Sequence, residues 1–228
     1  MKYDLHTHTN YSRHWLFGID ALGTPEQMIK AAIKKGLDGI AVTDHDNVKG
    51  SLKAKEAARR IGRDFSIITG AEISSKFGHI LGLGITENVR PDLSVEETVE
   101  KIHDLGGIAV AAHPYAKFWL RECLKEQALK ADAIEILNAC TCTQFQNRTA
   151  QRLVRKAGKP GIASTDSHCM RTLGNAGIIC YGDPLSAIMK NNFRIFGKTA
   201  PKKDFLYLIA KKYGRSIKWK FEGGPDLD

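Results

Sequence analysis

TPEQMIKAAIKKGLDGIAVTDHD, residues 24–46, contains a complete helix-to-strand unit, and its reading decides the fold class. Thr24 places a hydroxyl at the N-cap, Pro25 suits the first helical position, and Gln27 is spaced to reach back, which together make a capping box. Gly36 supplies the left-handed backbone that ends such a helix, so GIAVT (39–43) reads as the next strand. That strand finishes in Asp44-His45-Asp46, side chains that bind metal or exchange protons.

Outward from this unit the pattern repeats. Strand-like runs occur at YDLH (3–6), SIIT (66–69), HILGLGI (79–85), GIAVAA (107–112), AIEIL (133–137) and GIAST (161–165), and helical stretches open near residues 25, 48, 95 and 143. The third helix has its own capping box, Ser94 with Glu97, and the Gly106-Gly107 pair closes it. Such alternation predicts an α/β fold with a mainly parallel sheet, either doubly wound or rolled into a barrel. The choice matters, because a barrel draws functional residues from the ends of many strands and an open sheet concentrates them at one crevice. From residue 182 onward, helical DPLSAIMKNN and PKKDFLYLIAKKYG flank a strand-like FRIFG and carry no chemical motif.

At 228 residues, with glycine and proline dispersed as single turn residues, one domain over 1–228 is expected. The chain is 43% hydrophobic, yet no apolar run approaches the roughly 18 residues of a membrane span. The N-terminus enters a strand-like pattern without a secretory signal, which predicts a cytoplasmic protein. Five cysteines without a CxxC pair do not suggest a disulfide framework; Cys140 and Cys142 form a C-x-C that suits a soft metal or two reduced thiols. A formal charge of +9 favours anionic partners, phosphorylated metabolites or nucleic acid, although Lys53, Lys55, Arg59 and Arg60 read as a solvated helix face.

The polar residues at the strand ends share one chemistry. His6 and His8 follow YDL, Asp44, His45 and Asp46 follow GIAVT, Glu72 follows SIITGA, His113 follows GIAVAA, and Asp166 and His168 follow GIAST. His79 opens its own strand and His14 lies in the first loop, so seven of the eight histidines sit at strand ends or beside them. His6 and His8 are two apart, a spacing that points both side chains to one face of a strand, and Asp166 with His168 repeats the device. Imidazole and carboxylate donors in this number suit zinc, manganese or iron and more than one ion. The exception is His103, at the edge of the apolar face of VEETVEKIHDLGG, for which no role is expected.

Six motifs in order, DLHTHTNYS, GLDGIAVTDHD, ITGAEIS with GHILGLGI, GGIAVAAHP, IEILN and STDSH, cover residues 4–168 and resemble the PHP (polymerase and histidinol phosphatase) phosphoesterases. The resemblance implies a distorted TIM-like (βα)7 barrel with a trinuclear metal centre at its C-terminal rim, residues 182–228 completing the barrel or packing against it. It places His6, His8, Glu72 and Asp166 on one ion, Glu72 as the bridge to a second held also by His79 and His113, and His14, His45 and His168 on the third. Many members read Ser-Asp-Gly after the first motif, with the aspartate a ligand; here the stretch is Ser12-Arg13-His14, and His14 matches members with a histidine at that place.

The expected activity is hydrolysis of a phosphate ester, of a small phosphorylated metabolite or nucleotide, by hydroxide generated on two to three divalent transition ions. Asp44 and Asp46 are candidates to protonate the leaving group or to support the liganding imidazoles. Arg13, Arg148 and Arg171 are candidates for the phosphate. An exonuclease acting on DNA or RNA ends is the alternative, for which only the basic-aromatic YGRSIKWKF (213–221) speaks. A binding module without chemistry is disfavoured by the full donor set, and an amidohydrolase by Glu72 standing where that class often carries a modified lysine.

Overall fold

The computed structural model describes residues 1–14, 18–62, 64–116, 123–141, 143–201, 203–204, 206–208 and 210–211, with the backbone alone at residues 14, 18 and 19. The chain opens with strand β1 (Lys2–Thr7), a short pair β2 (Arg13–His14) and β3 (Gly18–Ile19), helix α1 (Pro25–Lys34) and strand β4 (Gly39–Val42). Helix α2 (Lys49–Ile61) leads to β5 (Ser66–Ile68), β6 (Gly70–Ser75) and β7 (Gly78–Leu83), then α3 (Val95–Asp104) and β8 (Ile108–Ala111). A 3-10 helix (Lys125–Lys130), β9 (Ala133–Asn138), α4 (Gln144–Ala157), β10 (Gly161–Ser164), β11 (Ala176–Ile179), α5 (Pro184–Met189) and β12 (Arg194–Gly197) follow.

Both capping boxes form. The Thr24 hydroxyl accepts from Gln27 N at 3.3 Å while Gln27 Oε1 accepts from Thr24 N at 3.0 Å, and Ser94 and Glu97 repeat the exchange at 3.2 and 2.8 Å. Gly36 and Gly106, just past α1 and α3, take φ of +73° and +75° and turn the chain back toward β4 and β8.

The strands form two five-stranded mixed sheets, ordered β12-β11-β1-β4-β5 and β10-β9-β8-β7-β6. They face each other across a core in which Tyr3, Leu5, Ala41 and Ile178 of the first sheet meet Leu81, Leu83, Val110 and Ile162 of the second. On the outer side of the first sheet, Ile40 and Val42 pack on Met28, Ile29 and Ala32 of α1 and Ala54 and Ala57 of α2. Ala71, Ile73, Ile80 and Ala111 meet Val95, Val99 and Ile102 of α3 on the other. Each fully buried large side chain contributes about 1.5–3 kcal/mol, so these layers fix the relative position of the strand ends.

A closed seven-stranded barrel is not what the described residues form. β7 runs antiparallel to both β6 and β8, with Ser75 opposite Gly78 at a tight hairpin, where a (βα)7 barrel needs parallel strands joined by helices. Among the described residues the ladders of the two sheets meet only at two isolated parallel bridges, Thr7 with Ser167 and His45 with Glu72. β6 and β11 are strands that the sequence pattern did not mark, and FRIFG supplies the edge strand β12 beside β11. No helix among the described residues is long and apolar enough to cross a membrane. Cys123, Cys140, Cys169 and Cys180 are free; Cys142, like the whole YGRSIKWKF stretch and the residues after it, lies outside the described residues.

Candidate metal centre

β1 alternates by face: Tyr3 and Leu5 enter the core between the sheets, and Asp4, His6 and His8 share the opposite parity. The two buried imidazoles stand with their Nε2 atoms 3.1 Å apart. Glu72, inside β6 between Ala71 and Ile73, lies 1% exposed and brings Oε2 to 3.3 Å from His6 Nε2 and 3.2 Å from His8 Nε2. Asp166, just past β10, brings Oδ1 to 3.4 and 3.2 Å from the same two nitrogens.

Glu72 is shared. Its Oε1 lies 2.6 Å from His79 Nδ1 and 3.0 Å from His113 Nε2, and its Oε2 is 3.1 Å from His45 Nδ1. A third group adjoins: His8 stacks on His168 with ring centroids 4.2 Å apart, and His8, His45 and His168 direct nitrogen atoms to one region. Asp20 closes it, with Oδ2 2.7 Å from His168 Nε2 and 3.4 Å from His45 Nε2. Eight of the nine expected ligands, His6, His8, His45, Glu72, His79, His113, Asp166 and His168, thus meet; the His14 side chain lies outside the described residues.

Three features show that these groups fit cations. The separations of 3.1–3.4 Å that His6 and His8 make with each other, with Glu72 and with Asp166 match the edge of a tetrahedron, about 3.3 Å for metal–ligand bonds of about 2.0 Å. Glu72 Oε2 and His45 Nδ1 are buried and make no hydrogen bond among the described residues although they are 3.1 Å apart, so their lone pairs aim at common points rather than at each other. The carboxylates also demand positive charge: burial would depress the His8 imidazole, yet Asp166 and Glu72 lift it to about 9. Burial likewise works to raise the Glu72 carboxyl, and His79, His45 and His6 hold it well below the usual carboxylate range.

Partners behind the donors orient them. His6 Nδ1 donates to Glu135 Oε1 at 3.2 Å and His168 Nδ1 to the Asp166 carbonyl at 3.0 Å, which leaves both Nε2 lone pairs facing the cluster, and His8 Nδ1 shares a hydrogen bond with Ser12 Oγ at 3.2 Å. Glu135 is 1% exposed and also accepts from His113 N at 2.6 Å, from Asn138 Nδ2 at 2.9 Å and from Ser164 Oγ. Asp46, His113 and Asp166 take φ of +51°, +27° and +55°, a backbone region costly for residues with a side chain, at the ends of β4, β8 and β10.

The remaining candidates fall elsewhere. Asp44 and Asp46 are hydrogen-bonded to Thr9 and Ser74, and the carboxylate that takes an imidazole N–H is Glu135. Arg13 is exposed in β2, and Arg148 is exposed on α4, where its guanidinium donates to Gln144 Oε1 at 3.4 Å. Arg171 points to the C-terminal segment, 3.1 Å from Asp204 and 4.4 Å from the centre of the Tyr207 ring. His103 is 47% exposed and bonds Asp132 at 2.8 Å, outside the cluster. Sequence reasoning missed Asp20 and Glu135. Asp20 lies eight residues after Ser12, beyond the β2–β3 pair, and Glu135 was visible as a carboxylate inside an apolar strand.

Residues 4–198 match the PHP domain family. The uncharacterized protein MJ1587 of Methanocaldococcus jannaschii is 36% identical over 61% of this chain and 82% of its own. The phosphoribosyl 1,2-cyclic phosphate 1,2-diphosphodiesterase of Eggerthella lenta is 29% identical over 64% of this chain, which spans about half, 52%, of that relative. Among solved structures, a two-domain protein from Bacteroides vulgatus containing a predicted PHP-like metal-dependent phosphoesterase superposes with a TM-score of 0.66 at 17% identity, over 93% of this chain and 69% of that one.

Proposed function

The chain belongs to the PHP domain family, and from that premise we propose that it is an enzyme that hydrolyses a phosphate ester of a small phosphorylated metabolite or nucleotide at a di- or trinuclear centre. The observation that carries the proposal is Glu72, a single buried carboxylate whose two oxygens face five imidazoles, His6, His8, His45, His79 and His113. A lone structural carboxylate needs no such company; a bridge between ions does.

His6, His8, Glu72 and Asp166 would hold one ion and Glu72 with His79 and His113 a second. His45 and His168 would hold the third, with Asp20 in the place that resemblance alone gives to His14. Zinc, manganese or iron suits these donors. Such ions, when bound, supply Lewis acidity and lower the pKa of water to about 7. The chain's own part is placement: Glu135 fixes the tautomer of His6, Ser12 orients the His8 ring, and the stacked His8 and His168 rings resist rotation. The two sheets with their two bridges support reading the architecture as an opened seven-unit barrel with the centre at its rim.

The test is a hydrolysis screen of protein purified without chelator. It runs over sugar phosphates, nucleotides, histidinol phosphate, cyclic phosphate diesters and short oligonucleotides, with manganese and with zinc. Metal content above one equivalent and turnover of a phosphate ester are expected; full activity in a metal-free preparation overturns the proposal. An exonuclease is the second reading, to which the basic-aromatic YGRSIKWKF (213–221) points, and the oligonucleotide arm of the screen separates the two.

A further inference from the structure

Between β1 and β10, and between β4 and β6, the backbone ladder is reduced to single bridges, yet these are the segments that carry most of the donors. One side-chain device recurs beside these places. Asp4 accepts from Thr165 N at 3.0 Å and Thr165 Oγ1 at 2.6 Å, and Gly174 N adds a third bond at 2.9 Å. Asp44 accepts from Thr9 N at 2.5 Å and Thr9 Oγ1 at 2.6 Å. Asp46 accepts from Ser74 N at 2.7 Å and Ser74 Oγ at 2.9 Å. In each case one carboxylate grips both the backbone N–H and the hydroxyl of a serine or threonine on the next segment.

We infer that Asp4, Asp44 and Asp46 are positioning residues whose carboxylates clasp adjacent ligand-bearing segments at the rim and thereby set the spacing of the metal donors. The order of the clasps carries the inference. Thr165 precedes Asp166, Thr9 follows His8, Asp44 and Asp46 flank His45, and Ser74 pairs across the β6–β7 ladder with His79. The three clasps therefore join the stretches that bear Asp166, His6 and His8, His45, and Glu72 into one continuous run, where the sheets alone leave it broken. Charge-assisted bonds of 2.5–3.0 Å to two donors of one residue fix orientation as well as distance. The surroundings are built to fit: a Cβ on Gly50 in the first turn of α2 would lie 1.8 Å from Asp44 Oδ2, and Gly174 reaches Asp4 from a backbone at φ +71°. Both Asp44 oxygens and both Asp46 oxygens are engaged in this way, which assigns them to spacing rather than to proton transfer.

The inference rests on the metal reading of the site, so the experiment separates the two. The full chain, stripped with chelator, is titrated with cobalt(II) against a competing chelator while visible absorption reports the ligand field, for wild type, Asp46→Ala, Asp46→Asn and Ser74→Ala. Asparagine preserves the clasp without the charge, its carbonyl accepting from Ser74 N and its amide donating to Ser74 Oγ. Asp46→Ala is expected to weaken cobalt binding by about 10–100-fold and change the spectrum, with Asp46→Asn returning both to wild type. If Asp46→Ala does not fold, Ser74→Ala carries the test with a smaller loss in the same direction. Wild-type cobalt affinity and spectrum in Asp46→Ala, or in Ser74→Ala where the alanine variant is unfolded, overturns the clasp and leaves the metal reading standing. Asp46→Asn with wild-type cobalt binding but no phosphoester turnover, and with the alkaline limb of the pH profile lost, overturns it in favour of a proton donor. A wild-type chain that takes up no cobalt overturns the metal reading and the inference together.

Discussion

Glu135→Gln leaves the shape of a buried side chain and exchanges one acceptor for a donor, so its effect follows from the four groups around it. His113 N and Asn138 Nδ2 can only donate, and they meet Oε2 at 2.6 and 2.9 Å; His6 Nδ1 and Ser164 Oγ meet Oε1, the imidazole at 3.2 Å. The glutamine carbonyl must stay with the two obligatory donors, since the reverse orientation sets buried N–H groups against each other at a cost of about 1–3 kcal/mol. Its NH2 then faces His6, whose Nδ1 can answer only by accepting. The His6 proton moves to Nε2, and the lone pair that belonged to the cluster is lost. Loss of this kind of orienting partner costs about 10–100-fold in metal affinity, which is about 1.4–2.7 kcal/mol. Competition with a chromophoric chelator measures the affinity, and nitrogen shifts of the imidazoles in the stripped protein report the tautomer. Wild-type affinity with His6 still protonated at Nδ1 would refute the reasoning.

Glu72→Ala and His113→Ala should each abolish phosphoester hydrolysis while the circular-dichroism spectrum stays native, because both side chains face the cluster rather than the apolar core; near-normal turnover in either would remove them from the site. Asp20→Asn should lower the metal content of protein loaded with zinc without changing the tautomer of His6, since Asp20 stands at the His45 and His168 side of the cluster while Glu135 holds His6 Nδ1; unchanged content would exclude it as a ligand. His103→Ala should keep wild-type turnover and melt within about 4 °C of the parent, as an exposed pair with Asp132 is worth at most about 1 kcal/mol. Gly50→Ala should destabilise by about 1–3 kcal/mol in urea, because the new methyl group would lie 1.8 Å from Asp44 Oδ2 and must displace either α2 or the Thr9 contact; an unchanged midpoint would show that α2 shifts freely.

How much of this was legible follows from the range of the interactions. Thr24 with Gln27, Ser94 with Glu97, and the glycines at 36 and 106 act within a few residues, so the order of residues alone marks the boundaries of those helices. The donor set was legible for a similar reason: His6 with His8 and Asp166 with His168 stand at a period that a strand converts into a shared direction. β6 was not legible, because GAEISS has a glycine, two serines and a charge; it is a strand only because β7 pairs with it and because Glu72 N donates to the Asp44 carbonyl at 3.1 Å.

The sequence by itself determined an α/β chain of alternating strands and helices that brings histidines and carboxylates to the strand ends, since local periodicity and capping carry that information. Only the tertiary structure decided that, among the described residues, the strands lie in two sheets bridged at two points rather than a closed barrel, since pairing between strands distant in sequence leaves no local pattern. It alone also placed Asp20 beside His168, Glu135 behind His6, and Asp44 and Asp46 on Thr9 and Ser74. In DLHTHTNYSRH the lack of an aspartate after Ser12 could be seen but the approach of Asp20 to His45 and His168 could not, because a carboxylate finds its partner by position in space, and the chain between Ser12 and Asp20 passes through a strand pair that no linear spacing records.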